Sequence, residues 1–300
     1  MIQVNKVSKK FDDFLALDEL SLNVEKGSIY GLVGPNGAGK TTLMKAIAGI
    51  LRTNSGEILI NKEKAYENVK IKNDVIYISD DLYFFNNFSI KEMRNLYRKV
   101  YSNWSEERFN KLQKVFGIDI KRNANKLSKG MQKQVAFWLA ISACPKVLIL
   151  DEPLDGLDPV VRREVLNIIM QDMEENKTTI MISSHNLREL EDICDTVGIM
   201  NEGKLILQRK LDDMKSSVHK VQVAFNEENI PKDLEKELNI LNKSKMGKVY
   251  SIIVCGEKEK IVDAFNKYNP LIMDMLPLTL EEIFIYEMGG CGYEVKSIIL

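Results

Sequence analysis

A glycine-rich segment at residues 34–42 constrains the fold more than any other part of the chain. It follows an apolar run at residues 28–33 and leads into residues 40–48, whose apolar side chains recur at helical spacing. Glycines let a backbone wrap around phosphate with its N–H groups pointing inward, and a helix start offers the positive end of its dipole to the same anion. Strand, glycine loop and helix together predict a phosphate-binding P-loop in an α/β fold.

Two side chains of this loop carry the predicted chemistry. Lys40 places a point charge on the β- and γ-phosphates of a nucleoside triphosphate, and Thr41 offers a hydroxyl to Mg²⁺. We therefore expect Lys40 to serve catalysis as well as binding. The loop residues predicted to contact the nucleotide are Gly34, Pro35, Asn36, Gly37, Ala38, Gly39, Lys40, Thr41 and Thr42.

A second motif places two adjacent acids at the end of a buried strand, residues 147–150. Asp151 is predicted to hold Mg²⁺ through water. Glu152 is predicted to orient or deprotonate an attacking water. Adjacent acids also occur on solvent-exposed edges, so the P-loop is what makes this pair informative.

Two further segments favour an anion site. Ser128 and Gly130 lie just before a helix, where a hydroxyl, a flexible backbone and the helix N-terminus attract anions; Ser128 also fits a simple helix N-cap. His185 directly follows the strand at residues 178–183, at the edge where ligands bind in parallel sheets, so we favour a γ-phosphate contact for it over a structural role.

Composition disfavours several other classes of protein. With 45% hydrophobic and 28% charged residues, a chain of 300 residues can bury a core without disulfides or metals. A net charge of −1 disfavours a nucleic-acid binder, and two histidines leave little room for a zinc centre. The four cysteines form no CxxC pair and are expected to be reduced thiols of a cytosolic protein.

The membrane-crossing potential of the chain is low. The N-terminus has no signal-peptide core. The longest apolar stretch, residues 135–144, has about half of the roughly 20 residues that cross a bilayer. We therefore expect the chain to act at a membrane only through a partner.

Strand-like and helix-like segments alternate along residues 1–210. Ser89, Ser105 and Asp158 are predicted helix N-caps, and Pro159 a first helical residue. The predicted strands are residues 2–7, 20–24, 28–33, 147–150, 178–183, 196–200 and 204–207. The predicted helices are residues 40–48, two within 90–116, 131–142, 159–175 and 187–194.

Beyond residue 210 the pattern changes to that of a small α+β appendage at residues 211–300. It is predicted to reinforce a dimer, bind a regulator or cover a sheet edge, and the sequence does not choose among these. Its predicted strands are residues 219–225, 249–254 and 271–275, and its predicted helices are residues 232–241, 258–268 and 278–288.

Taken together, the motifs at residues 34–42, 127–131, 151–153 and 157–158 and at His185 follow the order and spacing of ABC-type ATPases, and the chain resembles that family over about residues 1–210. The resemblance implies a P-loop NTPase of ABC type. Such a domain has a mixed central sheet, an N-terminal antiparallel β-subdomain and a helical subdomain, here at about residues 82–145.

The resemblance also implies ligands and partners. Two ATP molecules with Mg²⁺ would lie between the subunits of a head-to-tail dimer, with Ser128 and Gly130 of one subunit facing the γ-phosphate at Lys40 of the other. Phe11 stands where the family places an aromatic that stacks on adenine; the alternative is a core phenylalanine.

Two departures from the family pattern alter the predicted site. Asp80 stands where the family usually has a glutamine that contacts Mg²⁺ and the membrane partner, so we predict Asp80 as a metal and nucleotide ligand; alternatively Asp81, or neither, does this. Lys129 and Met131 replace a glycine and a glutamine beside Ser128. Lys129 either tightens closure on the triphosphate or points to solvent.

The variation at Lys129 and Met131, the chain length and the ending at residues 278–290 resemble those of ATPases of bacterial type-two ABC exporters for antimicrobial peptides or drugs. The resemblance implies an ATPase that powers a separate transmembrane permease from the inner face of the cell membrane, as a homodimer or a heterodimer with a related subunit. The alternative is a soluble ABC-type ATPase with a regulatory role. The aromatic residues Tyr83, Phe84, Phe85 and Phe88 are predicted either as helical-subdomain core or as a docking groove for the partner.

Overall fold

A computed structural model describes residues 1–225, 230–279 and 282–283 of the chain. Contacts divide the chain into two compact units, Met1–Gln208 and Arg209–Leu300. Within the described residues, no helix is both long and apolar enough to cross a membrane.

The first unit contains two sheets. The strands are β1 (Ile2–Phe11), β2 (Phe14–Val24), β3 (Ile29–Val33), β4 (Ser55–Ile60), β5 (Glu63–Lys64), β6 (Val75–Ile78), β7 (Val147–Leu150), β8 (Thr179–Ser184), β9 (Thr196–Asn201) and β10 (Lys204–Lys210). The antiparallel sheet has the strand order β2-β1-β4-β5, and the six-stranded sheet has the order β10-β9-β3-β8-β7-β6. Strands β6, β7, β8, β3 and β9 pair in parallel.

The buried strands of the six-stranded sheet decide where polar side chains can gather. Every residue of β3, β7 and β8 is buried, as expected of continuous apolar runs covered on both faces. Because these three neighbours run in parallel, their carboxyl ends meet at one edge, and the polar residues that follow them lie together there.

Three helices of the first unit begin at caps that the sequence predicts. Ser89 forms a capping box with Glu92, Ser105 accepts from Arg108 N, and Asp158 accepts from two amides of a helix that starts with Pro159. The helices are α1 (Lys40–Ile47), α2 (Val69–Asp74), α3 (Ile90–Val100), α4 (Glu106–Phe116), α5 (Lys129–Ser142) and α6 (Pro159–Asn176).

One hydrophobic core joins the two sheets through α1. Leu20 of β2, Leu32 of β3 and Leu43 of α1 belong to the same buried cluster. Burial of this face fixes α1, and with it the loop that precedes α1, against the end of β3.

Helices α3, α4 and α5 pack around a second set of aromatic side chains. Trp138 of α5 is fully buried, stacks on Phe109 of α4 at 4.5 Å between ring centroids, and donates from Nε1 to the Phe109 carbonyl at 2.8 Å. Arg108 of α4 forms an ion pair with the buried Asp172, which ties α4 to α6.

The predicted helix at residues 187–194 is wrong. Only a 3-10 turn forms, at Leu187–Glu189. The Asn186 side chain accepts from Arg188 N, and the Asn186 backbone N–H donates to Ser184 Oγ. Asn186 thus caps the start of the turn, and the chain enters the sheet at Asp195, whose N–H donates to the Ile29 carbonyl.

The second unit is a four-stranded antiparallel sheet of order β12-β13-β11-β14, preceded by α7. The chain order β11-α8-β12-β13-α9-β14 is that of a ferredoxin-like split βαβ fold. Its elements are α7 (Leu211–Ser217), β11 (Val218–Ala224), α8 (Lys232–Glu237), β12 (Asn239–Met246), β13 (Val249–Cys255), α9 (Lys258–Asn266) and β14 (Ile272–Leu276).

Two predicted helices of this unit differ from the described structure or lie largely outside it. The helix predicted at residues 232–241 ends at Glu237, because Leu238 turns to extended backbone and the following residues pair with β13 as β12. Leu238 and Ile240 then pack against the sheet's core beside Phe265. The helix predicted at residues 278–288 lies mostly outside the described residues.

Candidate nucleotide site

The glycine loop between β3 and α1 has the backbone that a P-loop requires. Gly37 and Gly39 adopt positive φ angles of 84° and 100°. A Cβ on Gly34 would lie 2.3 Å from the Met200 carbonyl oxygen. The loop therefore tolerates only glycine at Gly34, and Gly39 begins α1 in a conformation that L side chains rarely adopt.

Lys40 directs its ammonium back into this loop. Its side chain is buried, and Nζ donates to the carbonyls of Gly34 at 2.6 Å and Pro35 at 3.3 Å. Thr41 is exposed beside it and Thr42 is half-buried. The cation and the hydroxyl thus lie at the helix N-terminus.

The acids after β7 lie at the same edge of the sheet. Asp151 is almost fully buried and accepts from Tyr77 Oη at 2.9 Å and from Ser183 Oγ at 2.8 Å. Glu152 is held differently: its Oε1 lies 3.2 Å from Lys40 Nζ, and its Oε2 lies 3.1 Å from His185 Nδ1. The structure therefore brings Lys40, Glu152 and His185 into one cluster.

The Glu152 backbone is strained. Its φ of 44° lies in the left-handed region, which is uncommon for a residue with a side chain. Its N–H donates to Ser183 Oγ at 2.9 Å, and its carbonyl accepts from Lys133 Nζ at 3.1 Å. Such conformations persist where surrounding contacts hold them, and they cluster at functional sites.

Ser128 and Gly130 mark the start of α5. Ser128 is exposed, and its Oγ accepts from Met131 N at 3.3 Å, so the predicted N-cap is present. Gly130 is half-buried and has room near Leu157. Lys129 is exposed at the first position of the helix.

Phe11 ends β1, and 43% of its surface is exposed, so it is not a core residue. Lys9 Nζ lies 4.9 Å from the centre of its ring. Phe14, at the start of β2, pairs with Phe11 across the hairpin and is also exposed. The hairpin therefore presents two aromatic rings to solvent.

Asp80 lies beyond β6, and its carboxylate is 3.5 Å from Lys133 Nζ.

The aromatic side chains that follow Asp80 are partly buried and partly exposed. Phe84 is buried, whereas Tyr83 is 75% exposed and Phe85 is also exposed. Phe84 thus belongs to the core, and the rings of Tyr83 and Phe85 form an accessible surface.

Three residues near the site were not predicted from the sequence. Tyr77 and Ser183 donate to Asp151, and Lys133 donates to the loop after β7. Burial, and then the Asp151 carboxylate, raise the pKa of Tyr77, so its phenol keeps its proton and acts as a donor. Polar residues near the ends of neighbouring strands are the signal that points to Tyr77 and Ser183.

This fold and site define a P-loop ATPase: a glycine loop with a lysine, a buried aspartate, and a glutamate beside a histidine at the end of parallel strands. The family model described as ABC transporter matches residues 17–155. The chain is 31% identical over 290 residues to the ABC transporter ATP-binding protein YtrB of Bacillus subtilis (strain 168), covering 97% of this chain and 99% of that protein.

Two other comparisons agree. The chain is 30% identical over 301 residues to the bacitracin transport ATP-binding protein BcrA of Bacillus licheniformis, covering 97% of this chain and 98% of that protein. A solved ATP-binding subunit of an ABC transporter matches with a TM-score of 0.66 at 26% identity, covering 72% of this chain and 92% of its own. The chain belongs to the ABC transporter family as an ATP-binding, ATP-hydrolysing subunit, and its predicted fold class is confirmed.

Proposed function

We propose that this chain binds MgATP at residues 34–42 and uses Glu152 to activate the attacking water, with His185 holding the γ-phosphate. The position of the Glu152 carboxylate, between Lys40 Nζ at 3.2 Å and His185 Nδ1 at 3.1 Å, carries this proposal. A base held between a phosphate-binding cation and an imidazole is suitably placed to activate a water for in-line attack on the γ-phosphate.

The donors in the cluster fit Mg²⁺. A hydroxyl on Thr41 and a buried carboxylate on Asp151 are the hard oxygen ligands that this ion takes, usually with several waters. We propose that both hold the metal, which would neutralise charge on the phosphates. Asp80 is proposed to act on it only through water, because Lys133 already lies beside its carboxylate.

We propose a head-to-tail dimer in which Ser128 and Gly130 of one subunit face the triphosphate of the other. The exposure of Ser128 and Lys129 at the N-terminus of α5 supports this, since that end attracts anions and is accessible. The exposed ring of Phe11 is proposed to stack on adenine. The second subunit is either a second copy of this chain or a related ATPase.

The proposed partner is a separate transmembrane permease, which would hold this chain at the inner face of the cell membrane. The exposed Tyr83 and Phe85 beside Asp80 are proposed as its docking surface. Residues 1–210 would be the ATPase domain and residues 211–300 an accessory domain. The bacitracin transport role in the name of BcrA, matched over nearly its full length, supports export of a peptide or another amphipathic compound.

The test is purification of the tagged full chain from detergent-solubilised membranes of its own cells. We expect a polytopic membrane protein to co-purify, and a peptide antibiotic to stimulate the ATPase of that complex. Recovery of the chain without any membrane protein, with an ATPase that no such compound changes, would refute the transport role.

A further inference from the structure

Lys133 is a lysine whose charge lies inside the protein. It is 8% exposed and stands one turn into α5. Its Nζ donates to the carbonyls of Asp155 at 2.7 Å and Glu152 at 3.1 Å, and lies 3.5 Å from Asp80 Oδ1. An ammonium has three N–H donors, and each has an acceptor here.

Burial of a lysine costs free energy unless its charge is paired and hydrogen-bonded. The two carbonyls belong to the loop that follows β7, and they bracket a turn in which Asp155 N donates to the Glu152 carbonyl. Lys133 therefore fastens both ends of this turn to α5. The Asp80 carboxylate, from the segment after β6, balances part of the charge.

The residue held most directly by Lys133 is Glu152. With its φ of 44°, the Glu152 backbone depends on outside contacts, and side chains hold both of its polar groups: Ser183 takes the N–H and Lys133 the carbonyl. Loss of the Lys133 contact would leave the Glu152 carbonyl with only the 3.3 Å bond from Asp155 N, inside the same turn, and would remove the link from this carbonyl to α5. The carboxylate between Lys40 and His185 would then lose its defined direction.

We infer that Lys133 is a positioning residue that orients the catalytic Glu152 and couples it to α5. Ser128 caps the same helix about one turn earlier, so the ammonium links the proposed anion-binding end of α5 to the base. This inference rests on the proposed role of Glu152. Lys133 acts through the backbone and touches no reacting atom.

The test compares three substitutions in the purified full chain. Lys133→Met keeps the stem but removes every donor, Lys133→Gln leaves a shorter neutral donor, and Lys133→Arg keeps the charge. Lys114→Met removes an exposed lysine of α4 and serves as the matched control. For each variant, kcat and KM for MgATP are measured, with the melting temperature and circular dichroism to confirm folding.

We expect Lys133→Met and Lys133→Gln to lower kcat by about 10- to 100-fold, the loss that a misplacement of roughly 1 Å produces. Their KM should stay within about threefold, because the P-loop is untouched. Lys133→Arg should recover part of kcat, and Lys114→Met should match wild type. A merely structural role would lower the melting temperature without this selective loss of kcat.

Near-wild-type kcat in folded Lys133→Met, or in Lys133→Gln should the first variant not fold, would overturn the inference. Glu152→Gln is measured in parallel to separate two failures. Inactive Glu152→Gln beside an active Lys133→Met refutes only the positioning role. Activity in both variants refutes the proposed function of Glu152 itself.

Discussion

His185 Nδ1 lies 3.1 Å from Glu152 Oε2, although the two residues are 33 positions apart in the chain. The contact exists because β7 and β8 are parallel neighbours, so the residues that follow them meet at one edge of the sheet. The imidazole therefore lies beside the carboxylate that also contacts the P-loop lysine, Lys40.

The first prediction concerns His185→Ala. Removal of the imidazole should lower kcat by about 10²- to 10³-fold, the loss that follows removal of one donor to charge that develops in the transition state. Binding of MgATP should stay within about threefold, since Lys40 and the loop remain. Steady-state ATPase assays and equilibrium nucleotide binding measure the two quantities, with His219→Ala of the second unit as control. A variant that retains wild-type kcat would remove His185 from the mechanism.

The second prediction concerns Tyr77→Phe. Tyr77 Oη donates to Asp151 Oδ2 at 2.9 Å, and its raised pKa keeps the phenol protonated, and therefore a donor, throughout the neutral range. Loss of this bond should raise the Mg²⁺ concentration for half-maximal ATPase by about tenfold, as loss of hydrogen bonds to metal ligands does. Tyr97→Phe, in the aromatic packing of α3, is the control. An unchanged Mg²⁺ dependence would show that Asp151 needs no such support.

The third prediction concerns Asp80→Ala. If Asp80 acts on the metal through water, its loss should lower the affinity of the ATP complex for Mg²⁺ severalfold. The affinity of the P-loop for metal-free nucleotide should stay unchanged. Titration of Mg²⁺ into the ATP complex measures this effect. Equal metal affinity in variant and wild type would remove Asp80 from the metal site and leave it solely as the partner of Lys133.

The fourth prediction concerns stability. Arg108→Met would leave the Asp172 carboxylate buried without its cation, which costs about 3 kcal/mol of unfolding free energy for a buried pair. Asn176 Nδ2 also donates to Asp172 and would lessen the loss. Urea unfolding monitored by circular dichroism gives the value, and the double variant Arg108→Met, Asp172→Leu should recover part of it. A change below about 0.5 kcal/mol, the range of ordinary surface substitutions, would contradict this role of the pair.

The sequence predicted those parts of the site that rest on local chemistry. The P-loop, the buried strand before Asp151 and the cap at Asp158 each follow from neighbouring residues, and the structure has the corresponding elements. The contact of Glu152 with Lys40 was not predicted, because it depends on the order β3-β8-β7 in the sheet.

The rest depended on contacts between distant residues. No sequence pattern distinguishes Lys133 from other helix lysines, because its role depends on the packing of α5 against the turn that begins at Glu152. The 3-10 turn at Leu187–Glu189 and the strand β12 were not predicted. For β12, sheet pairing with β13 overrides helical spacing.

The central claim, that Glu152 activates water in an ATPase site, is tested most directly by Glu152→Gln beside Glu174→Gln, an exposed glutamate of α6. The amide keeps the size of the side chain but cannot accept a proton from water. We predict a loss of kcat of about 10²- to 10⁴-fold with ATP binding intact, and a larger dimer fraction with ATP in size-exclusion chromatography. A Glu152→Gln variant that hydrolyses ATP at the rate of Glu174→Gln would contradict the account.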